Sequence, residues 1–439
     1  MNWPTDVGSA TPTYEQAIAR LAQSLRFGIN PSLEGIRVLT QALGSPQKSF
    51  RCIQVTGTNG KTSVVRMIAA ALAALDRSVG AYTSPHLISY TERFEIDGAP
   101  VTGEEFARIL GEVFAAADAL GREFTEFELL TAAALCLFRD RRVEWAVLEV
   151  GMGGRWDATS VVDPVVAVIT GVGLDHTDRL GATREEIAID KSHIIKHGSF
   201  TVIGPGCEGV EHIFEQRAIQ MLSPFVFRVG VGPEPHITWE IVRRPRTPGG
   251  TLTVDVHVHG VQTRRARLRA PSYQAPNVAT AMAAIGAALW DAGHIDAADK
   301  VAKTMSFPGR FELLRKNPPL VIDGAHNPQA AGMLATAITE AFGDEPPVIV
   351  LAVLADKDVE GIVRELAPVA RSFVASENDS PRCMPADTLA DVVETVTGVR
   401  PIADPDIASA LIVAGRAGAG VVVTGSLYTA GAVRALYVS

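Results

Sequence analysis

The 439 residues are 47% hydrophobic and 20% charged, which excludes a mainly disordered chain, because such chains have too few apolar residues to offset the entropy of ordering. The formal net charge of −9 argues against bulk affinity for nucleic acid, while a cleft with its own field remains free to bind anionic small molecules. At roughly 150 residues per domain, the length allows two or three domains.

Residues 1–6 show no basic segment followed by an apolar core, so no signal peptide is expected. A helix is predicted at 14–25 and a strand at 50–55, then a glycine-containing turn and a helix over 63–75. Further helices are predicted at 102–120, where Thr102 and Glu105 have capping-box spacing, and at 127–139. Strands are predicted at 145–150, 165–170 and 200–203. Strands separated by helices imply a mainly parallel sheet covered on both faces. Between 224 and 268 the pattern changes. Residues 251–259 alternate apolar and polar, as a half-exposed antiparallel strand does, which suggests a small β appendage. The stretch 279–290 is uncharged and apolar for about twelve residues, short of the ~20 needed to span a bilayer, and reads as a buried helix. A boundary is placed at 305–310, dividing the chain into 1–306 and 307–439. Beyond it strands at 320–322, 347–354, 372–375 and 420–424 alternate with helices, giving a second α/β unit. Cys52, Cys136, Cys207 and Cys383 form no C-x-x-C pair, so neither a metal cluster nor a redox dithiol is expected, and a reducing cytoplasm is the expected home.

The sharpest motif runs from Val55 to Ser63: Val-Thr-Gly-Thr-Asn-Gly-Lys-Thr-Ser. It lies between a strand and a helix, the setting of a phosphate-binding loop. Backbone N–H groups of Gly57, Thr58, Asn59 and Gly60 can ring a polyphosphate, Lys61 can neutralise its terminal oxygens, and Thr62 or Ser63 can offer a hydroxyl to Mg²⁺. The general G-x-x-x-x-G-K-[ST] pattern has glycine where this chain has Val55. Glu149 ends a hydrophobic strand, so its carboxylate belongs at the sheet edge where open α/β sheets bind ligands. A solvated strand end is the plain alternative; the Gly-x-Gly-Gly that follows favours a Mg²⁺ ligand. His176 and Asp323 follow strands in the same way. Arg310 suits a phosphate clamp, being permanently charged and bidentate.

More blocks follow in order: Thr83-Ser84-Pro85-His86-Leu87, Tyr90-Thr91-Glu92-Arg93, Thr125-Glu126-Phe127-Glu128 and Glu149 to Thr159. After these come Leu174-Asp175-His176-Thr177, Phe307 to Glu312, Asp323-Gly324-Ala325-His326-Asn327-Pro328, Asp356-Lys357-Asp358 and Thr424 to Tyr428. With the phosphate loop they span residues 55 to 431, and on them the chain is identified as a member of the Mur ligase superfamily, similar to its folylpolyglutamate synthase/dihydrofolate synthase branch. The resemblance implies a P-loop central domain of Mur-ligase type and a C-terminal Rossmann-like α/β domain, with ATP held between them. It further implies two Mg²⁺ ions, Glu149 bridging both, with Thr62 and Ser84 on the first and His176 on the second. Lys191 aligns with the lysine that the family carbamylates; Lys196 is its neighbour and competitor. Asn277, Arg310 and Asp323 are implied to contact ATP, and His326 the γ-phosphate or nucleotide. Pro85, His86, Thr125, Phe127 and Glu128 would flank the pterin and acyl group, with Arg155 and Asp157 also toward substrate. Lys357 and Arg382 would hold the incoming amino acid. The implied reaction is ATP-dependent addition of L-glutamate to folate or dihydropteroate through an acyl phosphate, by a monomer with no nucleic-acid or membrane partner. The alternative is a paralogous ligase acting on a non-folate carboxylate; a non-catalytic ATP-binding regulator is a third reading. The chain departs from the branch's usual pattern in having Thr62 after Lys61, Tyr273 in place of histidine before Gln274, and Ser192-His193 after Lys191.

Overall fold

The structure is a computed structural model that describes residues 11–24, 31–260, 263–289, 305 and 307–438. The expectations at residues 1–6, and the inclusion of Leu25, Trp290 and Ser306 in predicted segments, lie outside the described residues. Two α/β units stand side by side. The first is built on an eight-stranded sheet: β1 (Arg51–Thr56), β2 (Val79–Tyr82), β3 (Phe94–Ile96), β4 (Ala99–Pro100), β5 (Trp145–Glu149), β6 (Val166–Gly171), β7 (Phe200–Gly206) and β8 (Val226–Arg228). Its order is β4-β3-β2-β5-β1-β6-β7-β8. All neighbours are parallel except β3 and β4, which turn back antiparallel on the β2 edge. Apart from Arg51 at the start of β1, the central strands are buried along their length, as sheets covered on both faces require.

The helices on this sheet are α1 (Tyr14–Ser24), α2 (Glu34–Ala42), α3 (Lys61–Ala73), α4 (Gly103–Leu120), α5 (Glu126–Asp140), the short α6 (Thr177–Leu180), α7 (Arg184–Ser192), α8 (Glu211–Gln220) and α9 (Ala275–Leu289). Thr102 caps α4 by accepting from Glu105 N, but the box is not closed. The Glu105 carboxylate pairs with Arg141 instead, at 2.6 and 2.7 Å. The β appendage is a three-stranded antiparallel sheet of β9 (Ile237–Arg243), β10 (Thr251–Val258) and β11 (Arg264–Arg269). Its inner residues Leu252, Val254, Val256, Ala266 and Leu268 share one buried cluster with α3 and α9.

The second unit is a six-stranded sheet of β12 (Glu312–Lys316), β13 (Pro319–Ile322), β14 (Val348–Leu351), β15 (Ser372–Ala375), β16 (Ile402–Ala403) and β17 (Val421–Thr424), in the order β12-β13-β17-β14-β15-β16. Only β12 is antiparallel to its neighbour. Alternate residues serve opposite cores, the period-two consequence of the pleat. Val321, Ile349, Leu351 and Val422 pack under α10 (Pro328–Phe342), α11 (Val359–Leu366) and α12 (Ala386–Thr397). Ile322, Val348, Val350 and Val423 pack under α13 (Ile407–Gly415) and α14 (Leu427–Ala435). No helix among the described residues is long and apolar enough to cross a membrane.

Candidate active site

The register of the first sheet assembles the site. Val55 on β1 lies opposite Glu149 on β5, and Thr56 opposite Ile169 on β6, so the loop leaving β1 emerges between the ends of two strands. Gly60, the residue before α3, has φ +84, and a side chain there would come within 2.6 Å of Asn277 Oδ1; glycine is required both for the turn and for the approach. Thr170 ties the loop down by donating to Asn59 O at 2.6 Å. Lys61 Nζ donates to the carbonyls of Gly57 (2.9 Å) and Thr58 (3.2 Å), which holds the ammonium across the loop. Burial draws its pKa down while Glu149 and Asp175 oppose the shift.

Glu149 is 1% exposed. Thr62 Oγ1 donates to its Oε1 at 2.9 Å and Ser84 N to its Oε2 at 3.2 Å. Burial pushes the carboxyl up, against the pull of Lys61. A carboxylate with the Thr62 hydroxyl and the Ser84 loop beside it is a hard-oxygen donor set, which fits Mg²⁺ or a similar divalent ion. His176 lines the same cavity, although no group of three or more His, Cys, Asp or Glu suited to a metal occurs among the described residues. His176 sits at the rim of that cavity, exposed and at φ +52, just before α6.

The Gly-x-Gly-Gly turn after β5 lets its backbone pass close over α7. A side chain at Gly154 would meet Lys191 O at 2.8 Å and Lys191 Cα at 3.0 Å. Helix α7 starts with a complete capping box from Thr183 and Glu186, which fixes where Lys191 falls. That lysine is 3% exposed; burial, helped by the charge of Lys61, brings its amine down to about 7.

From the second unit come Arg310, Asp323, His326, Lys357 and Arg382, all facing the same cavity of about 320 Å³ as Lys61, Ser84, Pro85, Glu149, Lys191 and Asn277. The Arg310 guanidinium makes no hydrogen bond or ion pair with any described residue. Asp323, 4% exposed, accepts from Ala325 N, Phe311 N and the Tyr273 hydroxyl at 2.8, 2.8 and 2.7 Å. His326 Nδ1 lies 2.8 Å from Gly324 O. A carbonyl can only accept, so Nδ1 carries the proton, and burial holds the ring's pKa down to about 4; Nε2 is therefore a lone-pair acceptor at neutral pH. Lys357 Nζ donates to Asp175 Oδ1 at 2.9 Å across the units, both side chains 11% exposed. Burial would raise Asp175, but His176 and Lys357 pull it down to about 2. Arg382 is more exposed and pairs with Asp356 at 3.6 Å.

The structure does not bring the remaining expected substrate residues into this cavity. Thr125 and Glu128 form a closed capping box at the start of α5 through the Thr125 hydroxyl and Glu128 Oε2, while Glu128 Oε1 is buried without a hydrogen bond. Asp157 organises the turn after β5, accepting from Met152 N at 3.0 Å and Thr159 N at 3.0 Å. His86 Nδ1 accepts from Arg93 Nε at 2.9 Å, and its ring lies 4.3 Å from that of Tyr90; burial holds the imidazole down to about 3. Phe127 packs on Gly151, and Arg155 stacks over Trp156 at 4.8 Å. Sequence reasoning passed over Asp175, Tyr273, Gln274 and Gln329 as site residues. Asp175 stood next to a singled-out histidine. Gln329, which accepts from Asn59 Nδ2 at 2.9 Å, gave no signal, because its role exists only when the units meet.

A strand–loop–helix phosphate cradle facing a second α/β unit across a cleft defines a two-lobed nucleotide-dependent enzyme of ligase type. Two family profiles match the chain: the Mur ligase middle domain over residues 55–288 and the Mur ligase glutamate ligase domain over 309–427. The dihydrofolate synthase/folylpolyglutamate synthase of Mycobacterium tuberculosis is 37% identical over 99% of this chain and 98% of its own. Among solved structures, M. tuberculosis folylpolyglutamate synthase complexed with ADP and AMPPCP has a TM-score of 0.84 at 34% identity, covering 96% of this chain and 99% of that one. A bifunctional folylpolyglutamate synthase/dihydrofolate synthase with Mn, AMPPNP and L-glutamate bound has a TM-score of 0.82 at 27% identity, covering 97% and 99%. The chain belongs to the Mur ligase family, in its dihydrofolate synthase/folylpolyglutamate synthase branch.

Proposed function

We propose that this chain is an ATP-dependent ligase that adds L-glutamate to a folate acceptor, either dihydropteroate or tetrahydrofolate. The observation that carries the reading is the convergence of Lys61, Glu149, Arg310 and Asp323 on one cavity from two units. The terminal phosphoryl group of ATP passes to the acceptor carboxylate, releasing ADP and leaving an acyl phosphate. The glutamate amine then attacks the acyl carbon, phosphate departs, and the amide remains. The backbone of residues 57–60 and the ammonium of Lys61 hold the phosphates, and Arg310 offsets charge on the transferring group. Thr62, Ser84 and Glu149 would hold Mg²⁺, which when bound neutralises phosphate charge; a second ion near His176 belongs to the same reading. Lys191, buried and poised near neutrality, is suited to carbamylation, which needs a neutral amine. Lys357 retains two donors beyond the one given to Asp175; with Arg382 it takes the carboxylates of glutamate, and His326 Nε2 accepts from its amine.

Residues 307–439 form the closing domain, a reading supported by the first strand of the second sheet starting at Glu312. The protein acts as a monomer in the cytoplasm in this account. A non-folate acceptor is not favoured, because relatives matched over nearly their whole length carry folate-ligase names. Incubation with ATP, Mg²⁺, L-glutamate and each acceptor, followed by product mass spectrometry, tests it. One added glutamyl unit per ADP formed is expected; no glutamylated folate from either acceptor would overturn it.

A further inference from the structure

The short segment before α9 touches both halves of the cleft. Tyr273 belongs to the first unit, yet its ring packs against the core of the second, the cluster that includes Phe311, Val321, Ala325 and Ala331. Its hydroxyl donates to Asp323 Oδ2 at 2.7 Å, beside the bond from Phe311 N to the same oxygen at 2.8 Å. Among the described residues Oδ1 takes only Ala325 N, at 2.8 Å, and so keeps accepting capacity for a ligand. Burial and the charge of Asp323 both push the phenol's pKa up, so at any working pH it is a donor.

The next residue turns the other way. Gln274 Nε2 donates to Ser63 Oγ at 3.1 Å, inside the first turn of α3, and Gln274 Oε1 accepts from Asn277 Nδ2 at 2.8 Å. Asn277 is the side chain that lies against Gly60 of the phosphate loop. The path from Asp323 to Tyr273, Gln274, Ser63 and the loop therefore has no gap. Arg310, the other charged neighbour of Asp323, contributes charge but no hydrogen bond, so Tyr273 is the side chain that orients this carboxylate.

We propose that Tyr273 is a positioning residue: its hydroxyl fixes Asp323 for the nucleotide and sets the second unit in register with the phosphate loop. The histidine common at this place in the branch gives way here to a longer donor that reaches across the cleft. The proposal rests on the reading that ATP lies between the units.

Tyr273→Phe keeps the ring and removes the donor. A bond to a carboxylate is worth enough that KM for ATP and the Kd for ADP should each rise about tenfold. With glutamate and acceptor saturating, kcat should fall by less than about twofold, since the phosphoryl-transfer groups are untouched. KM for glutamate should not move. In an Asp323→Asn background the same change should have little further effect on ADP affinity, because the two act as one unit. Tyr273→Leu, also lacking a donor, carries the same expectation if the phenylalanine variant does not fold. Unchanged ADP affinity in a folded variant, or full additivity with Asp323→Asn, overturns the proposal. ADP binding by calorimetry needs no turnover, so the role of Tyr273 is decided even if no glutamylated folate forms.

Discussion

Lys191 is 3% exposed and its backbone is packed against the turn after β5, so its ammonium is poorly hydrated. Its pKa falls from 10.5 to about 7, because lost hydration and the charge of Lys61 outweigh the opposing pull of Asp190 and Asp175. The sign of the pH dependence follows. Below pH 7 the amine is mostly protonated and cannot add carbon dioxide; above pH 8 it is mostly neutral. In ¹³C-bicarbonate, the carbamate carbon signal should therefore grow through pH 7, whereas an exposed lysine would gain it only near 10.5. Lys191→Arg should show no such signal. A wild-type spectrum without a carbamate at pH 8 would remove Lys191 from the catalytic account. The sequence carried the identity of this lysine only through the resemblance. The shift itself depends on the packing of Gly154 over α7 and was invisible in the residues alone.

Helix α5 shows how one spacing can be read two ways. Thr125 and Glu128 lie in a stretch that the resemblance turns toward substrate, but the same three-residue interval closes a capping box, and the structure uses it so. Thr125→Ala should destabilise the protein by about 1 kcal/mol, seen as a lower thermal midpoint, with kcat/KM for the folate acceptor held within about twofold. A large rise in acceptor KM without loss of stability would return Thr125 to the substrate site. Thr102 and Glu105 make the complementary case: the spacing was there, but Arg141 on a neighbouring segment took the carboxylate. Strand and helix positions were legible because hydrophobic periodicity and glycine turns are local, and observed ends differ from expected ones by a few residues. His86, Asp157 and Arg155 do not line the cavity; their partners, Arg93, the turn after β5 and Trp156, decide where each side chain points.

At the scale of the whole molecule, the site exists only where two sheets face each other. Asp175 meets Lys357, Asn59 meets Gln329 and Tyr273 meets Asp323, so the contacts that complete the cavity are contacts between units. Sequence order could not supply those pairs, although the phosphate loop was legible in it. Arg310, whose guanidinium pairs with no described residue, should be supplied with a partner by nucleotide. Saturating ADP at about a hundred times its Kd should stabilise the wild type by about 2.7 kcal/mol, and Arg310→Ala should lose most of the corresponding thermal shift at the same ADP concentration. An undiminished shift would place the nucleotide elsewhere. The central claim is that phosphoryl transfer activates the acceptor carboxylate before the amine arrives. Turnover of acceptor labelled with ¹⁸O in that carboxylate tests it most directly. One ¹⁸O atom should appear in the inorganic phosphate for each amide formed, whereas phosphate free of label, released alongside glutamylated product, would contradict the account.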